Sequence, residues 1–200
     1  MHITGISGNW NSRSRTKSLV ESIVRQLERR LPTQGQIIDL AEAGVSLWPL
    51  PQPKGLPDDL LEQLKRIEST DVLVVGSPVY KGSYSGVFKH FFDLVDRDAL
   101  RGKTVILSAT GGSDQHALVI EHQLRPLFSF FGAFTAPTGI YANEGDFTDY
   151  ELTNLAVCQR IERAVGEAVD LVHRTSFSDP ADVGRLICAL ESRRVTASKY

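Results

Sequence analysis

Short apolar runs alternate along this chain with longer stretches in which apolar residues return every three or four positions. Residues 2 to 6 are a short apolar run, and Ser7 to Ser14 is a polar loop. Leu19, Val20, Ile23, Val24, Leu27 and Leu31 then recur at helical spacing up to Pro32. Gln36 to Leu40 predicts a second strand. Val45 to Pro57 holds Pro49, Pro51, Pro53 and Pro57, which forbid regular structure and predict a long, partly stiff loop. Asp58 and Asp59 open a short helix through Glu68. A third strand spans Val72 to Gly76. Tyr84 to Val95 predicts a helix with Tyr84, Val87, Phe88, Phe91, Phe92 and Val95 on one face. A fourth strand follows at Thr104 to Ala109, a long helix at about Gln115 to Phe131, a fifth strand near Phe134 to Tyr141, and a last helix at roughly Tyr150 to His173.

Strands that alternate with helices imply βαβ units, hence a parallel sheet with right-handed crossovers. Five strands fit an α/β, flavodoxin-like three-layer sandwich with a five-stranded parallel sheet in the order 2-1-3-4-5. The expected domain is residues 1–174. Residues 175–200 read as a C-terminal extension, a short helix or a flexible tail.

In that topology the loops after strands one, three and four meet at the point where strand order reverses, the usual ligand site of such sheets. The first loop brings the hydroxyls of Ser7, Ser12, Ser14 and Thr16, with Arg13 and Arg15, to a helix N-terminus. Unpaired N–H groups, the positive end of the helix dipole and fixed guanidinium charge together suit a terminal phosphate. Capping by Ser14 or Thr16 alone needs only one hydroxyl. The second loop, Ser77-Pro78-Val79-Tyr80-Lys81-Gly82-Ser83-Tyr84-Ser85-Gly86, suits a flat ring with polar edges such as a flavin. The third, Thr110-Gly111-Gly112, lets backbone amides approach a planar ligand. Neither the dinucleotide glycine fingerprint nor a P-loop is present.

Composition narrows the function class. The 200 residues are 42% hydrophobic and 23% charged, and the net charge of −2 gives no electrostatic case for nucleic acid or an acidic membrane. The N-terminus lacks the pattern of a secretion signal, and no run reaches membrane-spanning length. Cys158 and Cys188 form no metal-like or redox pair. A cytoplasmic protein is expected.

Those three loops resemble the NAD(P)H-dependent FMN reductases. The motifs are Ser14-Arg15-Thr16 entering a helix, Ser77-Pro78-Val79-Tyr80 with Tyr84-Ser85-Gly86-Val87-Phe88-Lys89, and Thr110-Gly111-Gly112. Within that group the chain is similar to the reductase components of two-component alkanesulfonate and methanesulfonate monooxygenase systems, over about residues 1 to 173. The resemblance implies that Ser7, Ser14, Arg15 and Thr16 hold the FMN phosphate. It implies that Pro78, Val79, Tyr80 and Lys81 line the isoalloxazine, and that Thr110, Gly111 and Gly112 meet its pyrimidine edge. Ser12 and Ser83 complete the expected cofactor set, with His116 beside the flavin or nicotinamide phosphate. It further implies NADPH or NADH as reductant, an FMNH2-dependent monooxygenase as partner, and a homotetramer or homodimer. Hydride transfer between cofactors needs no protein acid, base or nucleophile, so no catalytic side chain is expected. Three alternatives are weighed: a reductase of quinones, azo dyes or metal oxyanions that retains FMN, a non-enzymatic flavodoxin-like electron carrier, and a nucleotide-binding regulator without redox activity, which would need the phosphate loop but not the Tyr80 and Gly-Gly walls.

Pro126 stands inside an otherwise helical stretch, Glu121-His122-Gln123-Leu124-Arg125-Pro126. It has no N–H for the carbonyl of His122, a misfit that either a π-bulge or a simple proline kink with His122 partly exposed accommodates. Related reductases carry an inserted tyrosine at the position of His122, in a bulge linked to flavin exchange. The resemblance implies the same role for His122.

Overall fold

A computed structural model describes residues 1–11, 13–43 and 55–176. The chain forms β1 (Ile3–Ser7), α1 (Arg15–Glu28), β2 (Gly35–Asp39), α2 (Leu40–Ala43), α3 (Asp58–Glu68), β3 (Val72–Pro78), α4 (Gly86–Leu94) and β4 (Thr104–Gly111). A π-helix (Ile120–Leu124) runs into α5 (Arg125–Phe130). Then come β5 (Phe134–Thr135), β6 (Ile140–Asn143), β7 (Phe147–Thr148), β8 (Glu151–Leu152) and α6 (Leu155–Ser176).

The main sheet is parallel, in the order β2-β1-β3-β4-β5, with β6 also paired to β4. The flavodoxin-like α/β expectation therefore holds. Every residue of β3 is buried, as a central parallel strand covered on both faces requires. One core joins the sheet to α3, α4 and α5, with Phe88, Phe91 and Phe128 fully buried. The other packs α1 and α6 on the opposite face through Leu19, Val20, Ile23, Ile161 and Val165. Complete burial of one such side chain contributes about 1.5–3 kcal/mol.

Four expected elements differ. The fifth strand is split, because Pro137 has no N–H for the ladder; the chain leaves β4 after Thr135 and rejoins it at Ile140. The long helix after β4 divides into a single 3-10 turn, Asp114–His116, the π-helix and α5. Within the π-helix the Arg125 N–H reaches the Ile120 carbonyl five residues back, and Pro126 falls in the first turn of α5, where its missing N–H costs least. The helix expected from Tyr84 begins at Gly86, since Ser85 caps it by accepting from the Phe88 N–H. The last helix begins at Leu155 rather than Tyr150. Asn154 accepts from the Ala156 N–H there, and Phe147–Leu152 are consumed by an antiparallel hairpin. Most of the proline-rich loop and all of the tail beyond Ser176 lie outside the described residues.

Candidate functional site

The carboxyl ends of β1, β3 and β4 are tied together by hydrogen bonds. The Gly8 N–H donates to the Gly76 carbonyl at 2.8 Å, and the Val79 N–H to the Thr110 carbonyl at 2.7 Å. The Thr16 and Thr110 hydroxyls meet at 2.6 Å in a buried contact between α1 and β4. Ser77 accepts from the Ser85 N–H at 3.0 Å, and the Ser85 hydroxyl donates to the Gly8 carbonyl. Three loops distant in sequence thus become one rim.

That rim encloses a cavity of about 240 Å³. Ser14, Arg15, Thr16, Pro78, Val79, Tyr80, Thr110, Gly111 and Gly112 line it, nine of the residues expected from sequence. Ser14 caps α1 through the N–H groups of Thr16 and Lys17, so its hydroxyl performs the capping role as well as facing the cavity. The glycine pair divides its work. A Cβ on Gly111 would lie 2.1 Å from the Tyr141 hydroxyl, whereas one on Gly112 would meet open space. Gly111 is therefore required by Tyr141 behind it, and Gly112 is the position that leaves room for a ligand. Burial, with Asp114 and Asp146 nearby, raises the pKa of the Tyr141 phenol, which donates to the Ser113 carbonyl at 2.6 Å.

Other expected residues stand elsewhere. Ser7 is fully buried behind the loop and donates to the Asn9 side chain. Lys81 occupies the exposed tip of the Tyr80–Ser83 turn with φ of 52°, followed by Gly82 at 82°. Ser83 donates to Gln123 of the π-helix at 3.2 Å, which links the flavin-type loop to that helix. His116 is exposed on its 3-10 turn, and His122 is exposed on the π-helix. Ser12 lies outside the described residues.

Arg13, read with Arg15 as phosphate-loop charge, also lines the cavity, and so do Asn9, Asn11, Glu144 and Tyr150, which sequence reasoning did not place in the cofactor set. Arg13 and Arg15 lie over the Tyr150 ring at 4.4 and 5.2 Å. The available signal for Glu144 was the Asn143-Glu144-Gly145-Asp146 turn pattern, which forms a capping box. Behind the first loop stands buried Asp39. It accepts from Asn9 at 3.3 Å and the Ala41 N–H at 3.1 Å, and pairs with Lys17 at 2.9 Å. This network fixes the loop's shape from below.

Two guanidinium groups and a helix N-terminus at one end, with a Pro-Val-Tyr wall and an open glycine at the other, make a site for a phosphate joined to a flat ring. Residues 1–148 match the family described as NADPH-dependent FMN reductase. The NADH-dependent FMN reductase SfnF of Pseudomonas fluorescens is 43% identical over 171 residues, which is 86% of this chain and 91% of that protein. An FMN reductase (NADPH) of Pseudomonas aeruginosa is 43% identical over 169 residues, 84% of this chain and 91% of its own. An oxidoreductase structure from Corynebacterium diphtheriae superposes with a TM-score of 0.76 at 34% identity, covering 86% of this chain and 97% of that one.

Proposed function

The chain belongs to the NADPH-dependent FMN reductase family, and we propose that it reduces FMN in order to release it to a partner flavin-dependent monooxygenase in sulfonate sulfur assimilation. The enzyme is an NAD(P)H-dependent FMN oxidoreductase. The observation that carries the site assignment is the meeting of Ser14, Arg15 and the α1 N-terminus with Pro78–Tyr80 and Gly112 in one cavity. The motif resemblance to the reductases of alkanesulfonate systems supports the choice of partner.

FMN, when bound, accepts a hydride from the nicotinamide; the protein supplies distance, orientation and exclusion of water. Arg15, Arg13 and the N–H groups at the start of α1 hold the phosphate. Val79 and Tyr80 carry the ring's face, their backbone fixed by the bond from Val79 to Thr110. Gly112 leaves the opposite wall free of side chain. Ser7 shapes the phosphate loop, to which Ser12 belongs in sequence; Lys81 and Ser83 belong to its partner loop, and His116, four residues beyond Gly112 in sequence, is assigned to the flavin or nicotinamide phosphate. His122 acts in flavin exchange from the π-helix, whose Gln123 reaches Ser83 on the flavin loop. The unit that does this is residues 1–174. It works in the cytoplasm as a homotetramer or homodimer; the exposed Leu118 and Phe130 supply apolar surface for such contacts.

Purification without added flavin, followed by NADH and NADPH oxidation under FMN titration, tests the reading. The expected protein is nearly colourless, with a rate that rises and saturates with free FMN, and His122→Ala alters the flavin off-rate. A yellow protein indifferent to added FMN but stimulated by quinones would replace it with a flavin-retaining oxidoreductase.

A further inference from the structure

The cavity contains an acid that a phosphate site does not need. The Glu144 carboxylate accepts a hydrogen bond from the Arg15 guanidinium. A surface carboxylate that met an arginine by chance would hang from an unconstrained segment. Glu144 instead belongs to a turn fastened at several points. The Asn143 N–H donates to Asp146 at 2.7 Å, and the Gly145 N–H donates to Asn143 at 2.7 Å. Asp146 is buried, and its carboxylate also accepts from Asn154. The Asn143 side chain donates to Asp114 at 2.7 Å, which ties the turn to the segment just beyond Gly112.

The hairpin that follows closes the other side of the same arginine. Asp149 and Tyr150 have φ of 48° and 70° at the two central positions of its turn, where left-handed backbone favours glycine or asparagine. A tyrosine held in that conformation is a backbone outlier retained at a ligand cavity. Its ring lies against Arg13 and Arg15. Arg15 is thus held between a carboxylate and an aromatic face, both presented by one compact segment, residues 143–150.

We propose that Glu144 competes with the flavin phosphate for Arg15 and so sets a weaker affinity and faster release than the same site would have without it. The proposal rests on reading this cavity as the FMN site. A phosphate that bonds Arg15 must displace the carboxylate or share the guanidinium with it. Displacement gives up an existing ion pair, and sharing places two anions side by side. Both oppose binding, and neither touches the ring. For a reductase that exports its flavin, the result is an affinity tuned at the phosphate rather than at the redox-active ring.

The test is a double-mutant cycle on the full chain, with FMN as probe and binding read by flavin fluorescence and stopped-flow release. Glu144→Gln keeps the shape and removes the charge. It should tighten FMN binding about three- to fivefold, the scale of a partly exposed ion pair, with slower release. In an Arg15→Gln background the gain should shrink to what direct repulsion between carboxylate and phosphate leaves. No tightening in Glu144→Gln, weaker binding, or undiminished tightening without Arg15 would overturn the proposal. Arg15→Gln alone separates the two readings. If it leaves FMN affinity unchanged, the phosphate site itself is misplaced; if it weakens FMN while Glu144→Gln changes nothing, only the competition fails.

Discussion

Lys17 and Asp39 show how a single pair shapes the cavity without lining it. Asp39 is buried at the end of β2 and anchors Asn9, and Lys17 supplies its cation at 2.9 Å. Lys17→Met would leave the carboxylate without that partner. The Lys17 side chain is 27% exposed, so the cost falls between that of a surface pair and a buried one, about 1–3 kcal/mol. Denaturant unfolding should show this loss at pH 7. The hydrogen bond to Asp39 is the main reason that the Lys17 ammonium titrates above its ordinary 10.5, with burial pulling the other way. A raised value means that the pair's contribution is complete below 10.5 and disappears as pH rises through the folded value. The gap between wild type and Lys17→Met should therefore be constant from pH 7 to 10 and close above that. A gap that widens with alkaline pH would contradict the pairing.

At the scale of elements, the π-helix is held by the residue that follows it. Arg125 donates to Thr135 at 2.8 Å, to the carbonyls of Ala136 and Pro137 at 3.1 and 3.2 Å, and to Glu121. One guanidinium thus clamps the π-helix to the break between β5 and β6. Arg125→Met should raise amide hydrogen exchange in Ile120–Leu124 and in the 136–139 link, while β1 and β3 keep their protection. Hydrogen bonds from a charged group contribute about 1.5–3 kcal/mol each at most, so the local opening should be large against an unchanged core. The hydrogen bond from Arg125 lowers the pKa of Glu121 below its ordinary 4.5. A lowered value means that the stabilisation is present above 4.5 and is lost as pH falls through the folded value. The same amides should become less protected in acid in the wild type but not in Arg125→Met. Uniform exchange across the molecule would show that Arg125 is not a local clamp.

For the molecule as a whole, the proposed self-association has a concrete surface. Lys89, Phe92, Val95, Leu127, Phe130 and Phe131 border a groove between α4 and α5. Phe130 is 63% exposed there, a large apolar side chain left in water beside an apolar groove. Light scattering at micromolar concentration should give the mass of a dimer or tetramer, and Phe130→Glu should shift it toward the monomer with the fold retained by circular dichroism. A monomeric wild type would remove the homo-oligomer from the proposed function.

The order of strands and helices was legible because burial leaves a local imprint. Val72–Gly76 is apolar throughout because both faces of β3 are covered, and the α1 residues Leu19 to Leu27 repeat with the helical turn because one face is. The three loops were legible for a related reason: the topology sends the ends of β1, β3 and β4 to one rim, whatever their side chains. Pro126 announced the π-helix, since a missing N–H is a local fact. Pro137 carried the same kind of signal for the split fifth strand, but it did not enter the prediction. Glu144 and Tyr150 were not legible. They reach Arg15 across about 130 positions, Glu144 from the short turn after β6 and Tyr150 from a hairpin turn whose left-handed backbone no hydrophobic period predicts. The contact of Thr16 with Thr110, the bond of Asp39 to Lys17 and the pressure of Tyr141 on Gly111 are of the same kind. Periodicity records which face of an element is buried. Which side chains then meet depends on sheet order, register and crossover path, and these are properties of the folded chain.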